Sequence, residues 1–233
     1  MRRDGVRTRL RLNLPVPDEV LRSLVRSGDH NGRRTPIQAR QRTTEALTRW
    51  TELEWPGAAF VRRAAPSGRL AVLFATSLGA RSGHDYLGCE HLVAGALRAG
   101  ALTDADTADP LRSVAVAAVA SSQLIAEVRP EQVDAWFADE AAVDPVAALA
   151  SIRLLPTLSP RAGRALRRAV ASAAAASALH GPAAIHVLSG VLEDPGMVAP
   201  VASAVGVSLE PARQWAGRRA AWGPLLELLD EVT

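Results

Sequence analysis

Three consecutive residues, Cys89-Glu90-His91, place a thiol, a carboxylate and an imidazole side by side in this chain. The three types carry nucleophilic attack, pairing with a cation, and proton transfer or metal ligation. Consecutive helical positions point about 100° apart, however, so neither a Cys–His pair nor a metal site forms from these three alone. Cys89 then reads as a small buried thiol. Glu90 reads either as a carboxylate that contacts a ligand or as an acid stabilised by the first turn of its helix. His91 has a counterpart. Setting Leu97 on Leu192 aligns His91 with His186 and Gly95 with Gly190, a shared register that marks packing histidines. One residue deleted from the second copy aligns His84 with His180 and Leu70 with Leu166. At the position of Glu90 the second copy has Ile185.

The other charges are arginines. All 27 basic residues are Arg, and lysine is absent. That removes P-loop phosphate binding, pyridoxal Schiff-base chemistry and kinase chemistry, each of which needs a lysine. The glycines follow no strand in a nucleotide-binding pattern. No Ser/His/Asp or metal-ligating constellation assembles, so no catalytic residue, metal or cofactor is expected. Residues 1–66 hold 14 Arg against 7 acids, and residues 67–233 hold 13 Arg against 17 acids. Arg7, Arg9, Arg11, Arg33 and Arg34 at the basic front can neutralise phosphates, which gives a nucleic-acid reading as the alternative. Against it, aromatics for base stacking are nearly absent from these clusters.

The elements that must position these residues are helices. The chain is alanine-rich, with 4% aromatics and 48% hydrophobic residues, which favours close-packed helices over a sheet. No apolar run is long enough for a membrane span. The first residues lack an apolar signal core, and one cysteine suits a reducing compartment, so a cytoplasmic location is expected. Val6 to Leu14 alternates apolar residues with Arg and reads as a short strand or arm. Helices are expected at Pro17–Arg26 and Pro36–Trp55. A further helix, Ser67–Ser82, is read as capped by Ser67. The turn Gly83–Gly88 leads to a helix at Cys89–Arg98. More helical segments are expected near 119–128 and 130–139, with some helix between Ala141 and Pro156. A helix opening at Ser159-Pro160 runs to His180, and another spans Pro182–Leu192. Pro195–Val205 and Ser208–Gly217 follow, with Gly206 as a left-handed cap between them. An amphipathic segment, Trp222–Val232, ends the chain.

The two stretches SGRLAVLFATSLGARSGHDYLGCEHLVAGALRAG, from Ser67, and SPRAGRALRRAVASAAAASALHGPAAIHVLSGVLED, from Ser159, form an internal repeat. GHDYLGCEHLVAGALRAG resembles the hallmark of the Clp N-terminal repeat, G-H-x-x-[IV]-G-T-E-H-[IL]-L-L-G-L. SPRAGRAL resembles the family's opening helix, and VGVSLEPARQ its final turn and helix. The resemblance covers roughly 67–217. It implies an all-α fold of two four-helix Clp repeats related by a pseudo-twofold axis, here freestanding and with an N-terminal basic extension. The divisions expected are 1–66 for the extension, 67–140 for the first repeat with an insertion at 101–118, and 141–157 for a connector. The second repeat takes 158–217 and a C-terminal amphipathic helix 218–233.

In that family the domain binds substrates and adaptors of Clp-type AAA+ unfoldases. The resemblance therefore implies a non-enzymatic binding module, an accessory, decoy or adaptor in Clp-dependent proteolysis. The implied partners are a Clp ATPase, its substrates or adaptors, a phosphoarginine-bearing protein, or a peptide-like small molecule. Some members bind phosphorylated arginine through a Glu from each repeat. Here Glu90 matches that Glu, Cys89 stands in place of the usual threonine, and Ile185 cannot pair with a cation. Glu90, with Cys89 beside it, is thus the candidate ligand-binding position. The alternative is a regulator whose arginine-rich front binds DNA while the repeats sense a ligand.

Overall fold

The computed structural model describes residues 36–101, 114, 117–118, 144–152, 154–204 and 206–230. The expected arm at Val6–Leu14, the helix at 17–26, the segments near 119–128 and 130–139, and most of the insertion lie outside these residues. So do Arg7, Arg9, Arg11, Arg33 and Arg34.

The described chain is mostly helical: α1 (Pro36–Glu52), α2 (Ala58–Arg63), α3 (Pro66–Arg81), α4 (Cys89–Ala96) and α5 (Pro145–Ser151) precede α6 (Pro160–Ala175), α7 (Ala184–Leu192), α8 (Val198–Ala204) and α9 (Glu210–Asp230). Two short strands, β1 (Tyr86–Leu87) and β2 (Thr157–Leu158), pair in parallel with Tyr86 opposite Thr157. No central sheet is present among the described residues.

α3 packs against α4, and α6 against α7, as two helix hairpins. α7 also packs against α3, α4 and α9. Leu70, Leu73, Leu92 and Leu97 of the first hairpin are buried, as are Leu166, Val187 and Leu192 of the second. Val170 is only half-buried and packs on the core's edge. Ala46, Leu47 and Trp50 of α1 face inward, as their spacing predicts, and Trp50 stacks at a tilt on Trp55 at 5.0 Å. α1 ends at Glu52, earlier than expected, because a turn bonds Ala58 N–H to the Trp55 carbonyl and starts α2.

Several local expectations need correction. α3 begins at Pro66, where the missing N–H costs nothing. Ser67 therefore lies inside the helix and caps another: its Oγ accepts from Ala184 N–H at 3.3 Å, at the start of α7. Ser159 does cap its own helix, accepting from Ala162 N–H. α4 ends at Ala96 and continues as a wider π-type turn, Leu97–Ala101, broken by Gly100 at φ 132°. α6 stops at Ala175 instead of His180, and α8 spans only Val198–Ala204. Gly206 adopts the expected left-handed conformation, and Ser208 Oγ accepts from Glu210 N–H. Beyond it, the two expected C-terminal helices are one, because nothing between Gly217 and Trp222 stops α9.

The two hairpins correspond in geometry, but not in the register expected from the sequence. α3 and α6 each have 16 residues and a proline at the first position, which pairs Pro66 with Pro160. The helix crossings give the same answer. A Cβ on Gly95 would meet Ala71 O and Ala75 N, and a Cβ on Gly190 would meet Ala165 O and Ala169 N. Ala71 thus matches Ala165 and Ala75 matches Ala169, so Leu70 does not match Leu166. The second hairpin's loop is one residue longer, not shorter, and His180 is not the counterpart of His84.

Candidate functional site

The first hairpin's turn sets the surroundings of Cys89, Glu90 and His91. His91 is fully buried at the third position of α4. Its Nδ1 accepts from Gly88 N–H at 3.0 Å, closing the helix start as a glutamine would in a capping box. Its Nε2 lies 2.8 Å from His84 Nδ1. With Nδ1 occupied as an acceptor, the proton sits on Nε2 and is donated to His84. His186 does the same work in the second hairpin, where Nδ1 accepts from Ala183 N–H at 3.1 Å. Burial, and then the charge of His84, push the His91 pKa down to about 4. Burial also lowers that of His186. Both are packing histidines.

Glu90 occupies the first turn of α4 as expected, and only 7% of its side chain is exposed. It folds back over Gly88: a Cβ there would stand 2.1 Å from Glu90 Oε1. The carboxylate thereby covers the positive end of its own helix. Tyr86 closes the site from outside. Its phenol pKa is raised by burial, then by the charge of Glu90 and a hydrogen bond donated to that carboxylate. Tyr86 stacks on His84 at 5.2 Å and meets His91 edge-on at 5.5 Å. The 3.6 Å approach of Glu90 to His91 Nδ1 is not an ion pair, since that nitrogen holds no proton. No guanidinium lies within 4 Å of Glu90 among the described residues.

Cys89 points the other way, toward the second hairpin. It is 3% exposed, with Sγ 3.7 Å from the Asp194 carbonyl, to which it donates. Burial, then the charges of Glu90 and Asp194, push the thiol up to about 11, against an opposing pull from Arg161 and Arg164. A thiol held protonated and enclosed is neither nucleophile nor metal ligand. No group of three His, Cys, Asp or Glu is arranged to hold a metal ion among the described residues. No helix among them is long and apolar enough to cross a membrane.

The structure therefore brings Glu90 and Cys89 close in space but aims them at different surroundings. It adds Tyr86, His84, Asp194, Arg161 and Arg164, none of which the motif alone singles out. Ile185, opposite Glu90 in the repeat, is half-buried against the core. Comparison with protein-family models, curated proteins and solved structures gives no match.

Proposed function

We propose that this chain is a non-enzymatic binding module of the Clp-repeat type, acting as an accessory, decoy or adaptor in Clp-dependent proteolysis. What carries the proposal is the equivalence of the two hairpins. Ser159 N–H bonds the Leu87 carbonyl at 3.1 Å, and Ala65 N–H bonds the Pro182 carbonyl at 3.1 Å. Each hairpin's turn thus grips the entry to the other's first helix, a reciprocity that supports two repeats related by a pseudo-twofold axis. Matching histidine caps and matching glycine crossings support it further. The protonated, enclosed Cys89 thiol argues against thiol catalysis at that position.

Glu90 is the proposed ligand carboxylate. A guanidinium must displace the Tyr86 phenol to reach it, and Ile185 offers no second carboxylate. The site is therefore one-sided and weak, because carboxylate–guanidinium pairing draws its strength from bidentate geometry. Two measurements test the proposal. Degradation of an unfolded substrate by a Clp unfoldase and its peptidase should change rate when this protein is added. Unchanged rates, with no co-elution of the unfoldase, would remove the proteolytic role. Calorimetric titration with phosphoarginine should show binding lost in Glu90→Ala and improved in Ile185→Glu. Equal binding by Glu90→Ala would move the ligand elsewhere.

A further inference from the structure

The outward face of α6 carries Arg161, Arg164, Arg167 and Arg168, and no acid lies anywhere along its 16 residues. The opposite face, with Ala162, Ala165, Leu166, Ala169 and Ala173, is buried. Helical stability does not explain the arginines. A solvated helix gains from Glu placed one turn before Arg, and α6 has none. Cations near the first turn also oppose the positive end of the helix dipole. Among the described residues, the only carboxylates that meet these arginines come from the turn after α7. Asp194 is shared by Arg161 at 3.6 Å and Arg164 at 3.3 Å, and Glu193 takes Arg168 at 3.1 Å. Arg167 has no carboxylate within 4 Å among the described residues. Its Nη1 lies back over Gly163, 3.8 Å from where a Cβ would stand. Four guanidiniums thus face two carboxylates over about 10 Å of helix.

Apolar side chains are exposed on segments that touch α6 or lead into it in sequence. The Arg161 stem rests against Gly196, and the neighbouring Met197 is 56% exposed. Leu154 and Leu155, which lead into β2 and α6, are exposed at 82% and 38%.

We propose that this face of α6 docks an acidic segment of another protein, one that sets carboxylates about a helical turn apart beside apolar side chains. The positive charge that Asp194 and Glu193 leave over among the described residues attracts the carboxylates, and Met197, next to the Gly196 that Arg161 meets, gives an apolar side chain something to cover. A nucleic acid satisfies only the first of these. α6 also has no aromatic on which a base can stack. Single exposed ion pairs contribute little, so affinity comes from the row acting together and falls with salt. Neither Glu90 nor Tyr86 belongs to this face, which meets the Cys89 side only through Asp194, so this proposal and the Glu90 reading fail separately.

The test is fluorescence anisotropy of a labelled helical peptide of Glu and Leu, about twenty residues long, titrated with the full chain at low salt. The double variant Arg164→Gln/Arg167→Gln should weaken binding about tenfold or more, a change of about 1.4 kcal/mol. Arg62→Gln/Arg213→Gln, which removes the same charge from other exposed positions, should change it less than about twofold. Circular dichroism checks that both fold, and Arg167→Glu, at the arginine without a carboxylate, provides a second variant. Failure of the parent to bind, or equal weakening by the control pair, overturns the proposal. So does tighter binding of duplex DNA with the same arginine dependence, which would make the face a phosphate surface.

Discussion

His91 and Cys89 lie two positions apart in sequence, and burial drives each toward its neutral form. The folded protein resists protonating His91 down to about pH 4, while the unfolded chain accepts that proton near 6.5. The contribution is therefore complete above pH 6.5, declines as pH falls to about 4, and is constant below. Its size is on the order of 3 kcal/mol, and His186 acts in the same direction. Urea denaturation at pH 7.0 and 4.5 should show a smaller loss in His91→Gln than in the parent. Glutamine can still accept from Gly88 N–H, so the cap survives while the titration goes. An equal loss in both proteins would locate the acid sensitivity elsewhere. For Cys89, a thiol pushed to about 11 and enclosed against Asp194 should not react with a disulfide reagent at pH 8 until urea is added. Rapid labelling of the native protein would contradict the burial. The motif shows which residues to watch, but not Tyr86 lying over Glu90. That contact depends on the turn folding back on the helix start, which spacing along the chain does not encode.

At the scale of elements, the glycines at the two crossings decide how closely each hairpin closes. A Cβ on Gly95 would stand 2.1 Å from Ala71 O and 2.7 Å from Ala75 N, both backbone atoms that cannot rotate away. Gly190 is less tight, at 2.5 Å and 3.1 Å from Ala165 O and Ala169 N. Gly95→Ala should therefore cost about 1–3 kcal/mol or more in chemical denaturation, and Gly190→Ala less. A reversed order would mean that the first hairpin opens more easily than the second. These glycines were legible from the repeat, because Gly95 and Gly190 share a register through the short helices. The longer helices misled the alignment. Alanine-rich α6 offers few distinctive side chains, and Leu166 matched Leu70 by type although the crossings pair Ala165 with Ala71. Ser67 shows a second limit. It has the residue type and position of a cap, but a proline one residue earlier starts the helix and frees its hydroxyl to cap α7, 117 positions away. Caps are local in sequence only when no other helix start lies nearer in space.

The two hairpins are not separable units at the scale of the molecule. One hydrophobic cluster runs from Leu47 and Trp50 through Leu73 and Leu92 to Leu166, Leu188 and Ala216. The charge break between 1–66 and 67–233 is therefore no break in packing, since α1 and α2 share this core. The ties between the halves are reciprocal: β1 with β2, Ala65 with Pro182, and Ser67 with Ala184. Melting either hairpin removes the partners that hold the first turns of the other, so the described body should unfold in one step. Leu188 tests this. It is fully buried on α7, which packs against α3, α4 and α9. Leu188→Ala should cost about 2–5 kcal/mol. With Trp136, Trp215 and Trp222 replaced by Phe, the remaining fluorescence comes from Trp50 and Trp55 in the other half. Its urea midpoint should fall by the same amount as the midpoint followed by circular dichroism. If the tryptophan midpoint stays in place while the helical signal shifts, the halves unfold independently, and the reciprocal bonds hold two self-sufficient bodies together.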